Sequence, residues 1–333
     1  MNIGILYICT GNYTVFWKEF YESCEKKLLL EDEKYYFVFT DAETLEYEEE
    51  NPRIKKIYQE NLGWPDNTLK RFHVFLKHKE LYSEMDYLYF FNANLKVVKS
   101  IKREEFLPDG DNLMVTIHPG FYNKINSQFP YERNAISRAC IPEGEGDYYV
   151  AGGLNGGKRA VFLKMAQELM RNIDEDGANG YVACWHDESH INNYVYMNRG
   201  FQTLTPAYLY PEGWDLPYVP IILIRDKNKY GGHAVLREGD LQSFCDRYKE
   251  IYIYGAGIKG QRMMAKLNDM GVDASYIISD GQEKNENLNV MYISELSALP
   301  EMTGIIIAIK SELEGIIKLE CKKRGYKNIY IEY

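Results

Sequence analysis

An α/β chain built as two unequal units is the architecture this sequence predicts, and three observations carry it. Residues 3–9 are a continuous apolar run that stops at Thr10-Gly11-Asn12, the pattern of a buried parallel strand opening into a loop at its carboxyl end. Residues 15–30 mix apolar positions at helical spacing with Lys and Glu, and residues 35–40 are β-branched and aromatic before Asp41, which completes a β-α-β start. Far downstream, residues 250–254 open a second βα unit through Gly255-Ala256-Gly257-Ile258-Lys259-Gly260.

The length of 333 residues suits one large domain and one small one. With 39 basic against 49 acidic side chains the net charge is −10, which argues against a nonspecific nucleic-acid binder, because that needs clustered Lys and Arg. The opening residues have no basic stretch and only a short apolar run, so neither a signal peptide nor a membrane span is expected, and a cytoplasmic location is. Six cysteines (Cys9, Cys24, Cys140, Cys184, Cys245, Cys321) lack C-x-x-C spacing and are expected as reduced thiols rather than disulfides or zinc ligands. The 29 tyrosines exceed what a core usually needs and suit surfaces that stack on rings or sugars while donating hydrogen bonds.

Taken in order, residues 43–51 are acidic, end at Pro52 and read as a solvated loop. Leu69, Phe72, Phe75 and Leu76 predict a helix over residues 68–81, and residues 87–91 a buried strand ending in Asn92-Ala93-Asn94. Strands are expected at 113–118 and 148–153, helices at 159–172 and 188–197, and a further apolar run at 221–224 follows a stretch broken by proline and glycine. The basic, glycine-bearing residues 225–233 read as a loop or tail closing the first domain. The predicted division is therefore 1–237, a linker 238–249, and 250–333. The last part has a helix to Met270, strands at 274–279, 304–309 and 328–332, and a helix at 312–324, enough for a small Rossmann-like domain of unknown role.

The segment Trp185-His186-Asp187-Glu188-Ser189-His190 crowds an indole, two imidazoles and two carboxylates together. Acidic residues in a first helical turn are commonly caps. This grouping is also how a sugar face, its hydroxyls and a developing cation are held. With Val38-Phe39-Thr40-Asp41, His118-Pro119-Gly120-Phe121-Tyr122, Tyr131-Glu132-Arg133, Ile141-Pro142, Glu145-Gly146-Asp147-Tyr148-Tyr149, Gly156-Gly157 and Thr205-Pro206-Ala207-Tyr208, it makes the chain resemble glycosyltransferase family 6 from residue 1 to about 237, especially its short bacterial members.

The resemblance implies a GT-A fold and retaining α-1,3 transfer of GalNAc or Gal from a UDP-sugar onto a β-galactoside. It places the reactive carboxylate on Glu188 and donor-sugar contacts on Asp187, Arg71, Ala151, Gly152 and Gly153. Tyr7, Ile8 and Tyr13 fall where the family surrounds uracil. His118, Phe121, Glu132, Trp185 and Trp214 fall on the acceptor side, where Pro130 departs from the threonine common in relatives. Gly153 leaves room for an acetamido group, which favours UDP-GalNAc over UDP-Gal and a blood-group A type product on a fucosylated acceptor such as 2′-fucosyllactose.

Asn92-Ala93-Asn94 stands where most of the family has Asp-x-Asp on Mn²⁺. Two neutral carboxamides cannot supply the charge that holds a hard divalent cation, so no metal cofactor is expected. Asn92 and Asn94 are then expected at the UDP, with Lys227 and Lys229, or Lys70 and Arg71, stabilising the departing diphosphate. The alternatives are a galactosyltransferase, or a silent carbohydrate- or nucleotide-binding protein. In the C-terminal unit, Gly255, Gly257 and Gly260 with Asp280 fit a dinucleotide motif. A structural or partner-binding role is preferred there, since no separate catalytic constellation accompanies it.

Overall fold

The computed structural model describes residues 1–331 apart from Arg199 and Glu238. It divides into two compact units, one of residues 1–61 and 65–238, the other of residues 62–64 and 239–333.

The first unit is organised by a seven-stranded sheet. Its strands are β1 (Asn2–Ile8), β2 (Glu33–Thr40), β3 (Ile54–Tyr58), β4 (Tyr87–Phe91), β6 (Leu113–Ile117), β7 (Val150–Lys158) and β8 (Phe201–Leu204), with β5 (Leu95–Val97), β9 (Tyr210–Pro211) and β10 (Ile222–Ile224) forming a small separate sheet. The order across the large sheet is β3-β2-β1-β4-β7-β6-β8, parallel from β3 to β4, with β7 inserted antiparallel between β4 and β6. Alternation along β1 sends Ile3, Ile5 and Tyr7 into the cluster beneath helix α1 (Trp17–Lys27), and Leu6 into the opposite cluster. A continuous apolar strand is stable here because both faces are covered, each fully buried aliphatic side chain contributing about 1.5–3 kcal/mol.

The opposite face is covered by α3 (Arg71–Lys77), α5 (Arg159–Ala178) and α6 (His186–Met197), with the short α2 (Asp66–Leu69) before α3 and α4 (Arg103–Phe106) between α3 and α5 in the chain. The helix expected over 68–81 is broken at Lys70, whose backbone (φ −97°, ψ 11°) ends α2 and begins α3. The strand expected over 148–153 runs on to Lys158, because Gly156 and Gly157 serve close packing rather than a turn. Four strands of this unit were not expected, the two-residue β9 among them. β3 is an edge strand with two lysines in five residues, β5 has only three residues, and β8 follows the α6 turn with half its residues polar. The basic stretch after β10 is ordered, as a 3-10 turn at Lys227–Tyr230 capped by Asp226 and a short helix, α7 (Gly232–Leu236).

The second unit contains β11 (Glu250–Tyr254), β12 (Ala274–Ile278), β13 (Val290–Tyr292), β14 (Thr303–Ile307) and β15 (Ile329–Ile331), all parallel in the order β13-β12-β11-β14-β15. Residues 240–246, expected as linker, form α8 (Asp240–Asp246), whose Leu241, Phe244 and Cys245 join this unit's core. Helices α9 (Ile258–Asp269) and α10 (Ser311–Lys323) complete it. All six cysteines are free, and among the described residues no helix is long and apolar enough to cross a membrane.

Gly156 fixes the β4–β7 pairing: a Cβ there would fall inside the Tyr89 ring and 2.5 Å from the Leu88 carbonyl oxygen. Gly156→Ala is therefore expected to lower unfolding stability by about 1–3 kcal/mol or more, as overpacking does. Chemical denaturation checks this, and a change below about 0.5 kcal/mol would show that β7 can move away from β4.

Candidate active site

The carboxyl end of β4, the start of β7 and the start of α6 converge. Helix α6 begins under constraint: His186 has φ +54°, unusual for a residue with a side chain, and Trp185 N–H donates to Ser189 Oγ at 3.0 Å. Asn192 pins the helix to β7, accepting from Val150 N–H and donating to Val150 O and Glu188 O, each at 2.9 Å. This brings Glu188 beside the strand. Its Oε1 accepts from the Tyr149 hydroxyl at 2.7 Å and its Oε2 from Gly152 N–H at 2.8 Å. Burial, reinforced by Glu188, pushes the Tyr149 phenol far up, so it stays a donor. A Cβ on Gly152 would meet Glu188 Cβ at 3.4 Å, within ordinary contact distance.

Asp187 is fully buried beside this carboxylate. Its Oδ2 lies 2.9 Å from Arg71 Nε, an ion pair without hydrogen-bond alignment, and neither of its side-chain oxygens has a hydrogen-bond partner among the described residues. Burial raises its pKa from 3.8 to about 7, Arg71 opposing and Glu188 adding to the rise. Arg71 is itself buried, donates to Gly152 O at 2.9 Å and stands 4.3 Å over the Phe90 ring. Arg71, Gly152, Asp187 and Glu188 thus form one connected group. Ala151 and Gly153 flank Gly152 on β7, and a Cβ on Gly153 would meet Asn92 Cβ at 3.6 Å, ordinary contact.

Asn92 N–H donates to Gly153 O at 2.9 Å, which joins the β4 end to β7. Asn92 Nδ2 donates to Asn94 Oδ1 at 3.0 Å, and the buried Asn94 donates in turn to Arg225 O at 3.0 Å. The two carboxamides therefore bind each other and the chain after β10.

His118 and Phe121 lie on the far side of Tyr149, with ring centroids 5.7 and 5.2 Å from it and 4.9 Å from each other. His118 Nδ1 accepts from Gly120 N–H at 3.0 Å, leaving the ring proton on Nε2, and burial lowers its pKa despite the nearby Glu188. Trp185 and Trp214 are 52% and 53% exposed, as contact residues must be. Glu132 is different. It is buried, and its oxygens accept from Asn134 and Cys184 N–H at 2.8 Å each, so the expected acceptor contact is a tie holding the loop before Trp185.

One further expectation is corrected. Tyr7 has no exposed surface: its ring stacks on Phe20 at 4.4 Å and its hydroxyl donates to Ala93 O at 2.7 Å, so it is core. Lys229 pairs with Glu212 at 2.8 Å while staying 57% exposed, and Lys227 stands 5.2 Å over the Tyr13 ring beside the loop after β1. Ile8 is half-buried against the helical face, and Gly11 N–H donates to Asp41 Oδ1 at 2.7 Å across the same loop. A cleft of about 780 Å³ opens there, lined by Asn12, Thr14, Ala42, Glu46, Tyr230 and Leu236 among others.

Tyr149 is the residue sequence reasoning missed as a site group. It lay beside Tyr148 in the Glu145-Gly146-Asp147-Tyr148-Tyr149 motif, and only the course of the backbone leading into β7 decides which of the two faces Glu188.

In the second unit, Gly255 has φ +107°, Gly257 is open, and Gly260 packs against the Gly255 carbonyl. Asp280, expected to face a ribose, spends its carboxylate on Ser294 N–H and Arg324.

The mixed sheet with polar residues gathered at β4, β7 and α6 defines a GT-A-like glycosyltransferase. Residues 1–236 match the family model described as Glycosyltransferase family 6, and the chain belongs to that family. It is 36% identical over 238 residues to the O-antigen biosynthesis glycosyltransferase WbnI of Escherichia coli, covering 72% of this chain and 100% of that protein. It is 30% identical over 230 residues to the human globoside alpha-1,3-N-acetylgalactosaminyltransferase 1, covering 65% of this chain and 61% of the relative. The rat histo-blood group ABO system transferase 1 is 31% identical over 227 residues, covering 64% and 63%. The chain thus spans somewhat over three fifths of these two mammalian relatives.

Because Asp187 titrates near pH 7 when folded and at 3.8 otherwise, folding takes up its proton. Its contribution to stability is fully present below about pH 4 and is lost as pH rises through about 7. The stability of the wild type minus that of Asp187→Asn should fall across this interval and then level off. A difference independent of pH would show that Arg71 keeps Asp187 ionised throughout.

Proposed function

We propose that residues 1–237 transfer GalNAc from UDP-GalNAc, in α-1,3 linkage and with retention, onto the galactose of a fucosylated β-galactoside such as 2′-fucosyllactose, giving a blood-group A type product and UDP. The observation that carries this reading is the Glu188 carboxylate, held at both oxygens by Tyr149 and Gly152 beside the buried Asp187 and Arg71. Retaining transfer passes through an oxocarbenium-like state and needs a fixed carboxylate on the face opposite the leaving group. In the reaction the bond from C1 to the UDP oxygen breaks and its electron pair leaves with the β-phosphate. The acceptor O3 bonds to C1 with overall retention and its proton passes to the leaving phosphate or to Glu188. Glu188 serves as the nucleophile of a covalent intermediate or as the counter-charge in front-side displacement.

In this reading the Asp187 oxygens accept hydroxyls of the donor sugar, and Arg71 holds Asp187 in place. Ala151, Gly152 and Gly153 leave space at C2, which favours GalNAc over Gal. His118 Nε2–H, Phe121, Trp185 and Trp214 form the acceptor side. The human relative, a globoside alpha-1,3-N-acetylgalactosaminyltransferase, supports the sugar and linkage.

A divalent cation does not fit the β4 end. Asn92 and Asn94 are neutral and bound to each other and to Arg225 O, whereas a hard cation needs charged oxygens free to coordinate it. Transfer is accordingly read as metal-independent, with Lys227 supplying positive charge to the departing diphosphate and Tyr13 and Ile8 facing uracil.

Mass spectrometry of products from UDP-GalNAc and UDP-Gal with 2′-fucosyllactose and lactose, in excess chelator, tests donor, acceptor and metal together. Addition of an N-acetylhexosamine to 2′-fucosyllactose is expected. Activity lost to chelator and restored by Mn²⁺ would overturn the metal-free reading, and binding of UDP without turnover would favour a silent binding protein. Gly153→Ala should fold normally and shift preference toward UDP-Gal by about 10-fold, the scale of one methyl in a pocket; an unchanged ratio would sink the steric argument.

A further inference from the structure

Two clefts meet at Asp147 and Tyr148, just before β7. The smaller, about 200 Å³, is lined by Phe121, Tyr122, Phe129 and Tyr218 together with that pair. The larger, about 460 Å³, carries Tyr131, Glu145, Tyr196 and Asn198 on the other side of the same pair. We propose that together they form an extended acceptor groove, holding the sugars of a glycan beyond the galactose that receives the transfer. The proposal rests on the acceptor reading above.

Continuity with that acceptor side is the first argument. Phe121 lines the smaller cleft and also packs on His118 and on Tyr149, whose hydroxyl holds Glu188. A galactose at His118 therefore has the smaller cleft directly behind Phe121. The second argument is the chemistry of the lining. Tyr122 and Tyr218 meet edge to face at 5.4 Å, half-buried, so ring faces and hydroxyl edges are both presented. Saccharide rings have the matching character, with apolar C–H faces and a polar rim. Asp147 is exposed at the junction and has no ion-pair partner among the described residues, so its two oxygens are free to accept from neighbouring hydroxyls. The third is size. The larger cleft lies within the roughly 300–1,000 Å³ of small-molecule sites and the smaller one below it, which suits one ring followed by a longer stretch.

The experiment compares acceptor KM and kcat for the fucosylated galactose disaccharide, which has no sugar beyond the galactose, and for a pentasaccharide ending in the same disaccharide. Wild type, Tyr218→Ala and the exposed-site variant Asp147→Asn are measured, with thermal melting to confirm folding. The pentasaccharide should show a KM at least about threefold lower in wild type, the scale of one aromatic contact. Both variants should erase that advantage and leave the kinetics on the fucosylated disaccharide unchanged. Equal KM for the two acceptors in wild type would overturn the groove, as would variants that raise both KM values alike. Absence of transfer to any β-galactoside is a separate result, which removes the acceptor reading and the groove with it.

Discussion

In the proposed transfer, a carboxylate that faces a short-lived cationic carbon is useful only if it cannot turn away, and Glu188 is restrained at both oxygens. One donor is a buried phenol, the other a backbone amide of the strand alongside. Each requirement propagates. The amide comes from the start of β7, and the helix presents Glu188 beside it because Asn192 ties it to Val150. The unfavourable φ at His186 is tolerated at the same helix start, where the surrounding hydrogen bonds over-determine the backbone. Antiparallel insertion of β7 then sets this group against the end of β4 through Asn92 and Gly153.

Electrostatics follow from the same packing. Arg71 is a buried cation set between the Gly152 carbonyl, the Phe90 ring and Asp187, so the site already contains two carboxylates and one fixed positive charge. At the β4 end, where acids would bring in a metal, two amides instead close a hydrogen-bond chain to the segment after β10. That segment carries Lys227, and its order depends on Arg225, which pairs with Glu19 and Glu212. The basic stretch is thus tied to the strand end by the residues that replace acids there.

Much of this arrangement was legible in the sequence. The apolar runs of β1, β2 and β4 mark the sheet directly, whereas Glu188 stands out only through the family resemblance, because an acidic first turn by itself reads as a cap. Tyr7 shows where such reading stops: on a strand buried on both faces, an aromatic that packs and one that stacks on a ligand look alike. Glu132 shows the same limit for acids, because its loop partners Asn134 and Cys184 are distant along the chain or ordinary in kind. β3 and β5 were missed because an edge strand tolerates lysines and a three-residue strand has no measurable period. The residues between the two units read as a connection because they are short and largely polar, although Leu241, Phe244, Cys245 and Tyr248 stand at i, i+3, i+4 and i+7, the spacing of one helical face.

The central claim is that Glu188 acts on the transition state and contributes little to holding the donor. Titration of UDP-GalNAc by calorimetry, alongside turnover, on wild type and Glu188→Gln tests it most directly. The account predicts a donor Kd within about twofold of wild type and a kcat lower by at least about 100-fold, as when a preorganised charge-stabilising group is removed. Retained turnover, or a loss carried wholly by weaker donor binding, would contradict it.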